Sequence, residues 1–358
     1  MFKLFKYFPY IFLKKPIYLT IFLTSKCNSN CIFCFYRRDP NLTLNKEEPD
    51  LTVEEIEKIS NSIGSLIWIS FSGGEVFLRE DLVEISKIFY NKNKPFIMLY
   101  STNGLQPDVI LNQIEKILSL CKDSIIVVKL SLDGIGLEHD LIRGVKNGFE
   151  KVMETYHHLN ELAAIFKNLE IGFNTVFCSI NQNKITEIIN FVNSLKGVRN
   201  HSISLIRGEI DKKLKDVDIE LYLRCTKLLQ KNLKRYSFKG ARLKAAQDIL
   251  RSRLIYKIVK ESKTFLPCYA GQLTLTITHT GKVFPCENFS EEFLLGSLRE
   301  QNYDLKKILN SQRTKQVIAR IKNGCYCTHE CYLMINILFN PKTYFSLFKE
   351  YFKLLLAL

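Results

Sequence analysis

The stretch IYLTIFLTSKCNSNCIFC, residues 17–34, joins a run of β-branched and apolar residues to three closely spaced cysteines, Cys27, Cys31 and Cys34. The run predicts a buried β-strand, and the cysteines fall on the loop that follows it. A structural zinc site or an ordinary iron–sulfur cluster takes four protein ligands, and no fourth cysteine lies nearby. Three thiolates on a [4Fe–4S] cluster leave one iron atom open. The triad therefore predicts either such an open cluster or half of a zinc site.

Five further apolar runs have the composition of buried strands, and they lie at 65–71, 95–101, 124–132, 169–177 and 201–206. Helical stretches separate the runs, and the first of these opens with Thr52 and Glu55, which predicts a capping box. Alternating strands and helices indicate βα units around a parallel sheet. Six such units form either an open, doubly wound α/β sheet or an incomplete barrel.

Residues suited to chemistry follow several of these strands. Gly73, Gly74 and Glu75 follow the second strand, Asn103 the third, Asp133 the fourth and Arg207 the sixth. In either fold, functional residues belong at the carboxyl ends of the parallel strands. Their placement therefore predicts one shared site next to the triad.

The triad has the spacing CxxxCxxC, and the aromatic residue Phe33 stands directly before its last cysteine. Together with SGGEVF, residues 72–77, it resembles the hallmark of the radical SAM superfamily. The resemblance implies a partial (β/α)6, TIM-like barrel over residues 17–209, with a [4Fe–4S] cluster on the three cysteines. It also implies that an electron from this cluster cleaves S-adenosylmethionine to a 5′-deoxyadenosyl radical.

The same resemblance implies which residues bind S-adenosylmethionine. These are Phe33, Gly73, Gly74, Glu75, Asn103, Ser131, Asp133 and Arg143. Phe33 would pack near the adenine, while Glu75 and its glycines would meet the methionine amino group. Ser131 and Asp133 would contact the ribose, and Arg143 would take the methionine carboxylate. A carboxylate that accepts from an ammonium group is also sound chemistry on its own.

A second candidate set of metal ligands lies in the last third of the chain and comprises Cys268, Cys286, Cys325, Cys327 and Cys331. One cluster takes four thiolates, and we favour the set without Cys325, because Cys325 stands only two residues before Cys327. A zinc knot is the alternative. The spacing of GKVFPC and the late cysteine run resemble the SPASM/twitch extension of radical SAM enzymes. Because full SPASM domains have more cysteines, the resemblance implies the twitch form, with one auxiliary [4Fe–4S] cluster.

The sequence divides into five expected parts. A basic and apolar segment, 1–16, precedes the barrel, 17–209. A charged helical bridge, 210–262, leads to a small Fe–S domain, 263–340, in which LTLTITHTGKVFPC predicts a hairpin. An amphipathic helix, 341–358, follows. The predicted fold is therefore an α/β partial barrel with a small C-terminal cluster domain.

The formal net charge of +15 predicts an anionic partner. An acidic electron donor, a flavodoxin or ferredoxin, is the first candidate. A non-catalytic Fe–S or zinc protein that binds nucleic acid is the less favoured alternative. Basic residues are concentrated in 212–260, where we expect a solvated helical face.

Eleven cysteines in a chain of 358 residues without a cleavable signal sequence do not indicate a disulfide scaffold. They indicate metal ligation in a reducing cytoplasm. The apolar residues 343–358 are too few to span a bilayer core of ~30 Å, but they fit a helix on a membrane surface or on the core. We expect a ribosomal peptide or a small molecule as the substrate, with a lipid at the membrane surface as the alternative.

Overall fold

The structure is a computed structural model that describes residues 15–38, 48–231 and 241–356. Residues 1–14 of the expected N-terminal segment lie outside the described residues. Residues 232–240 of the expected helical bridge lie outside them as well.

One sheet runs through the described part of the chain. Its strands are β1 (Tyr18–Phe22), β2 (Trp68–Ser72), β3 (Ile97–Thr102), β4 (Ile125–Ser131), β5 (Leu169–Phe177), β6 (Val198–Leu205), β7 (Thr274–Ile277), β8 (Lys282–Phe284) and β9 (Gly296–Ser297). Their order is β6-β5-β4-β3-β2-β1-β7-β8-β9, and β1 to β6 pair in parallel. A doubly wound sheet reverses its strand order, whereas these six strands follow one another as in a barrel. The expected partial barrel in an α/β fold is confirmed.

Helices follow the strands and close the C-terminal part. They are α1 (Phe35–Arg38), α2 (Val53–Ser62), α3 (Leu82–Asn93), α4 (Pro107–Leu120), α5 (Leu137–Arg143), α6 (Gly148–Ile165), α7 (Ile185–Ser194), α8 (Ile219–Lys231), α9 (Ala241–Glu261), α10 (Leu305–Asn310), α11 (Gln312–Lys322), α12 (Glu330–Leu338) and α13 (Tyr344–Leu356). The expected capping box at α2 is confirmed. Thr52 Oγ1 accepts from Glu55 N at 3.2 Å, and the Glu55 carboxylate accepts from Thr52 N at 2.8 Å.

The expected hairpin is present, but it extends the barrel sheet. β7 and β8 pair antiparallel, and Gly281 closes the turn with a φ of +87°. β7 also pairs in parallel with β1, and all four of its residues are buried. A strand with apolar residues on both faces is typical of the interior of a sheet, where both faces are covered. The hairpin of the small domain is thus joined to the barrel through the first strand.

The two faces of the barrel strands differ in burial. In β4, Ile126, Val128 and Leu130 are fully buried beneath the outer helices. Lys129 and Ser131 alternate with them and are half-buried on the inner face. Because side chains alternate along a strand, the inner face can carry polar groups without breaking the outer core. The barrel interior is therefore where polar binding groups can collect.

The C-terminal helix α13 packs along α9. It buries Leu347 and Glu350, and Glu350 Oε1 accepts from Arg253 Nη1 at 2.9 Å. Its other face exposes aromatic side chains, so the helix is amphipathic as expected. In the described ranges, no helix combines the length and the apolar content that crossing a membrane requires.

Candidate functional site

The triad loop is fixed to the end of α5 by backbone hydrogen bonds. Asn30 N donates to Arg143 O at 3.0 Å, and Ile32 N donates to Ile142 O at 3.2 Å. Ser29 Oγ also donates to Arg143 O, at 2.9 Å. These bonds give the segment between the cysteines a defined conformation although it lacks regular structure. The thiols are thus placed at the carboxyl end of β1, as the sequence predicted.

Polar side chains lie beside the triad sulfurs. Ser29 Oγ is 3.1 Å and Arg143 Nη1 is 3.4 Å from Cys31 Sγ. Asn103 Nδ2 is 3.7 Å from Cys27 Sγ. Donors and a positive charge favour the thiolate, which is the form that ligates metal. Burial raises the pKa of the Cys27 thiol to about 11, and a bound metal deprotonates a coordinating thiol outright. This donor set fits an iron–sulfur cluster.

The glycine pair after β2 passes against the triad loop at backbone distance. Gly74 N donates to Thr24 O at 2.7 Å, and Glu75 N donates to Lys26 O at 2.8 Å. A Cβ at Gly74 would stand 2.0 Å from the carbonyl oxygen of Lys26. Gly73 has a φ of +149°, which favours glycine. The glycines therefore permit the close approach of two loops. Their expected contact with the methionine amino group stays a prediction.

The buried carboxylate of Glu75 ties the ends of β2 and β3 together. It accepts from Thr102 Oγ1 at 2.9 Å, from Phe77 N at 3.2 Å and from Asn103 N at 2.7 Å. Burial raises the pKa of Glu75 to about 7 despite these bonds. A carboxylate offers about four acceptor positions, so one is left for an ammonium group. Asn103 in turn donates to Asn28 Oδ1 at 2.7 Å, within the triad loop.

The residues expected at the ribose and at the methionine carboxylate contact each other. Arg143 Nε donates to Asp133 Oδ2 at 2.6 Å, and Asp133 Oδ1 accepts from Val176 N at 2.7 Å. The Arg143 guanidinium also lies 5.6 Å from the centre of the Phe33 ring. Ser131 ends β4, two residues before Asp133. Because the protein already uses the Asp133 carboxylate, its contact with a ribose stays a prediction.

The five later thiols differ in their neighbours. One group contains Cys268, Cys286, Cys325 and Cys327. Burial first, and then the charges of other thiols of the group, raise the pKa values of Cys286, Cys325 and Cys327. Cys331 instead lies beside His329 and Tyr18, whose hydrogen bonds lower its pKa against the effect of burial. The expectation that Cys325 is the spare thiol finds no support in this arrangement, because Cys325 stays with the group. Which four thiols bind a cluster is therefore still a prediction.

A charged network that the sequence analysis missed lies between the two cysteine sets. Arg207 Nη2 donates to Glu287 Oε2 at 2.8 Å, and Arg207 Nη1 is 3.6 Å from Glu330 Oε2. The same guanidinium lies 5.0 Å from the ring centre of Phe35, next to the triad. His329 Nε2 is 3.0 Å from Glu287 Oε2. Although burial and Arg207 oppose it, the Glu287 carboxylate raises the pKa of His329 to about 9. In the sequence, Glu287 follows Cys286 and Glu330 precedes Cys331, which could have pointed to this network.

Neither cysteine set has the geometry of a single-ion site. Among the residues that the structure describes, no three or more His, Cys, Asp or Glu side chains are close enough to hold one metal ion. A [4Fe–4S] cluster takes one thiolate on each of several iron atoms, so it needs a wider set of ligands than one ion does.

Two proteins and one solved structure are similar to this chain over most of its length. An uncharacterized protein of Methanocaldococcus jannaschii is 23% identical over 315 residues, which are 86% of this chain and 94% of that protein. The subtilosin biosynthesis protein AlbA of Bacillus subtilis is 25% identical over 299 residues, which are 83% of this chain and 60% of AlbA. The structure of anSMEcpe with bound AdoMet matches with a TM-score of 0.60 at 18% identity, over 96% of this chain and 98% of that one. This last likeness shows a common fold.

Two family models match the parts of the chain that carry the cysteines. The model of the radical SAM superfamily matches residues 21–192, and that of the SPASM iron–sulfur cluster-binding domain matches residues 268–332. The fold and the site thus define a radical SAM enzyme. The chain belongs to the radical SAM superfamily and has a C-terminal SPASM domain. Its cofactors are accordingly a [4Fe–4S] cluster, S-adenosylmethionine and at least one auxiliary iron–sulfur cluster.

Proposed function

We propose that Cys27, Cys31 and Cys34 hold the [4Fe–4S] cluster that binds S-adenosylmethionine, and that the enzyme abstracts a hydrogen atom from a substrate carbon. The observation that supports this most is the triad loop itself. It offers three thiols, with Arg143 beside Cys31 and Asn103 beside Cys27. The described part of the loop contains no fourth cysteine. When bound, the cluster supplies the electron that cleaves the sulfonium to a 5′-deoxyadenosyl radical.

The protein's own residues would orient S-adenosylmethionine. The free acceptor position of Glu75 fits the methionine ammonium group. Arg143 uses Nε and Nη2 on Asp133 and keeps further N–H donors for the methionine carboxylate. Phe33 offers an apolar ring next to this guanidinium, where the adenine can pack. In this arrangement, the main role of Asp133 is to hold the Arg143 guanidinium in place.

We further propose that the substrate is a ribosomal peptide, or otherwise a small molecule, which the radical oxidises or cross-links. The support is AlbA, whose name assigns it to the biosynthesis of the bacteriocin subtilosin. The auxiliary cluster would accept an electron from the oxidised substrate if four thiolates saturate it. A gene for a short precursor peptide next to the gene of this enzyme would support the peptide, and lipid-pathway genes there would contradict it.

The experiment that tests the radical chemistry measures 5′-deoxyadenosine. Reconstituted protein, reduced anaerobically with dithionite, is given S-adenosylmethionine, and the product is quantified by liquid chromatography. We expect product from the wild type and none from Cys31→Ala, whereas Cys121→Ala, which changes a buried cysteine at the C-terminal end of α4, keeps the activity. Equal, background-level product from all three proteins would overturn the proposal.

The physiological electron donor would be an acidic flavodoxin or ferredoxin, because the chain has a formal net charge of +15. Exposed charges steer association less as salt rises. Reduction of the cluster by such a donor should therefore slow as salt is raised from 50 to 300 mM. A rate that does not change with salt would contradict a charged docking surface.

A second candidate function is a radical reaction at a membrane surface. Phe345, Phe348, Phe352 and Leu356 are exposed on one side of α13, and Lys349 lies among them. Aromatic side chains with flanking lysines suit the interface of an anionic membrane. The N-terminal sequence MFKLFKYF has the same composition.

Sedimentation with vesicles tests this candidate. Vesicles of equal parts phosphatidylglycerol and phosphatidylcholine should bind the protein, while the variant F345S/F348S/F352S should stay in solution. Ile165→Ser removes an exposed apolar side chain elsewhere and serves as the control. Binding by wild type and triple variant alike would contradict a role for α13.

A further inference from the structure

The inward face of α9 is apolar near the end of the helix and polar or charged before it. Ile255 and Ile258, near its end, are buried in the main core. The positions before them on the same face, at helical spacing, hold Lys244, Gln247, Asp248 and Arg251. Lys244 and Arg251 are only 23% and 15% exposed. The expectation of a solvated helical face is therefore wrong for this part of the basic stretch.

These side chains lie within electrostatic reach of Lys129, on the inner face of β4. Burial, followed by the charge of Lys244, lowers the pKa of Lys129 to about 8. Strand β4 and helix α9 thus border one polar space.

Positive charge is in excess in this space. Asp248 pairs with Lys244 and with Arg251, the latter at 3.1 Å. Within the described ranges, Lys129 has neither an ion pair nor a hydrogen bond. The next carboxylate, Glu330, is used by Arg207 at 3.6 Å and by the backbone N of Leu205 at 3.1 Å. Three cations therefore share the one carboxylate that pairs directly with them, and Cys331 is their further acidic neighbour. Lys129 keeps no direct partner, and a cation that is partly removed from water without one is costly.

One uncharged side chain in the same region also has no partner. Gln247 is completely buried, and neither its Oε1 nor its Nε2 makes a hydrogen bond in the described part of the protein. Buried polar groups in native proteins are nearly always hydrogen-bonded. An unpaired amide beside unpaired positive charge indicates a place for a polar ligand.

We propose that Lys129, Lys244 and Arg251, together with the amide of Gln247, form a binding site for an oxyanion of the substrate inside the barrel. The ligand group is a carboxylate or a phosphate, because both accept several hydrogen bonds and carry the negative charge that the site lacks. The inference rests on the proposed function, in which the substrate enters the barrel. It adds that the substrate is anionic at the end that is held between β4 and α9.

Anion-dependent thermal stability of the full, reconstituted protein tests the site without any known substrate. Inorganic phosphate and succinate, each against sodium chloride of equal ionic strength, are the probes. A ligand that binds only the folded state raises the melting temperature with its concentration. We expect at least one probe to raise the melting temperature of the wild type beyond the chloride control. Phosphate alone, succinate alone or both would identify the oxyanion and support the site.

The variant Lys129→Met tests whether the anion that raises the melting temperature binds at this site. In chloride, the variant should melt at a higher temperature than the wild type, since it removes a half-buried cation that has no direct partner, and its affinity for the active probe should fall at least tenfold. Lys151→Met, which removes an exposed lysine from α6, should keep the anion response. Arg251→Gln provides a second variant should Lys129→Met fail to fold, and we expect the same loss of affinity.

The proposal is overturned if neither probe acts beyond chloride on the wild type. It is also overturned if Lys129→Met, or Arg251→Gln in its place, binds the probe as the wild type does. These readouts do not depend on radical chemistry. Absent 5′-deoxyadenosine with an intact anion response would refute the proposed function alone, and the reverse pattern would refute the anion site alone.

Discussion

Arg143 donates from Nε to the buried carboxylate of Asp133 over 2.6 Å. The same guanidinium reaches to 3.4 Å from Cys31 Sγ, and its backbone carbonyl accepts from Asn30 N and Ser29 Oγ. One residue therefore joins the fourth strand to the triad loop through both its side chain and its backbone. A change at this pair should act on stability and on the site together.

Asp133→Asn should destabilise the protein by about 3 kcal/mol, because it leaves the buried Arg143 cation without its counter-ion. The amide can still accept from Val176 N, so the loss comes mainly from the charge. Urea unfolding measures the difference. Glu161→Gln, on the exposed side of α6, is the control and should change stability by less than about 0.5 kcal/mol. Equal midpoints for the two variants would count against the pair.

Gly74→Ala should disrupt the triad loop, since the new methyl group would stand 2.0 Å from the carbonyl oxygen of Lys26. We expect the iron content of the triad cluster and the 5′-deoxyadenosine yield to fall at least tenfold. Gly64→Ala meets nothing within 4 Å and serves as the matched control. If Gly74→Ala retained wild-type iron and yield, the two loops would not approach as closely as described.

Glu55 links α2 to the C-terminal part and predicts a pH dependence. Its carboxylate accepts from Arg299 Nε at 2.7 Å and from Tyr303 Oη at 2.7 Å. The Arg299 hydrogen bond lowers the pKa of Glu55 from 4.5 to about 2. A lowered pKa means that the link stabilises the fold above about pH 4.5 and that this stability is lost as the pH falls toward 2.

Glu55→Gln should therefore cost about 1 kcal/mol at pH 7, and less as the pH falls below 4.5. Glutamine has one oxygen that can keep the capping box, so the variant loses the charge and one of the two acceptor oxygens. Urea unfolding at pH 7, 4.5 and 3 measures the gap in unfolding free energy between the wild type and Glu55→Gln. Glu57→Gln, in an exposed pair with Lys92, is the control and should cost a few tenths at most. A gap that stays constant down to pH 3 would contradict the assigned role of Glu55.

Replacing all three triad cysteines by Ala should leave the auxiliary site intact. The later thiols lie on the hairpin and around α12, apart from the triad loop in the chain. We expect about four iron and four sulfide per chain in this variant, the content of one [4Fe–4S] cluster. Zinc bound in their place would indicate the knot, and about eight iron would indicate two auxiliary clusters.

The sequence predicted the barrel well because its strands are local, apolar runs with helices between them. It also predicted the triad, whose ligands lie within eight residues. It missed the parallel pairing of β7 with β1, since two strands more than 250 residues apart leave no local signal of pairing.

Long-range charge contacts were missed for the same reason. Arg207, Glu287 and Glu330 meet only in the folded chain. The lysines of α9 suggested a solvated surface, and only the folded structure shows that Lys244 is mostly shielded from solvent and paired with Asp248. Charged residues at a buried helix position break the local pattern, and such departures concentrate at functional sites.

We propose that S-adenosylmethionine binds the triad cluster and not the auxiliary one. Electron paramagnetic resonance of the reduced protein, with and without S-adenosylmethionine, tests it most directly. S-adenosylmethionine should change the spectrum of the wild type, whereas the Cys27/Cys31/Cys34→Ala variant should keep an iron–sulfur signal that does not respond. A signal in that variant that still shifts with S-adenosylmethionine would show that the auxiliary cluster binds it.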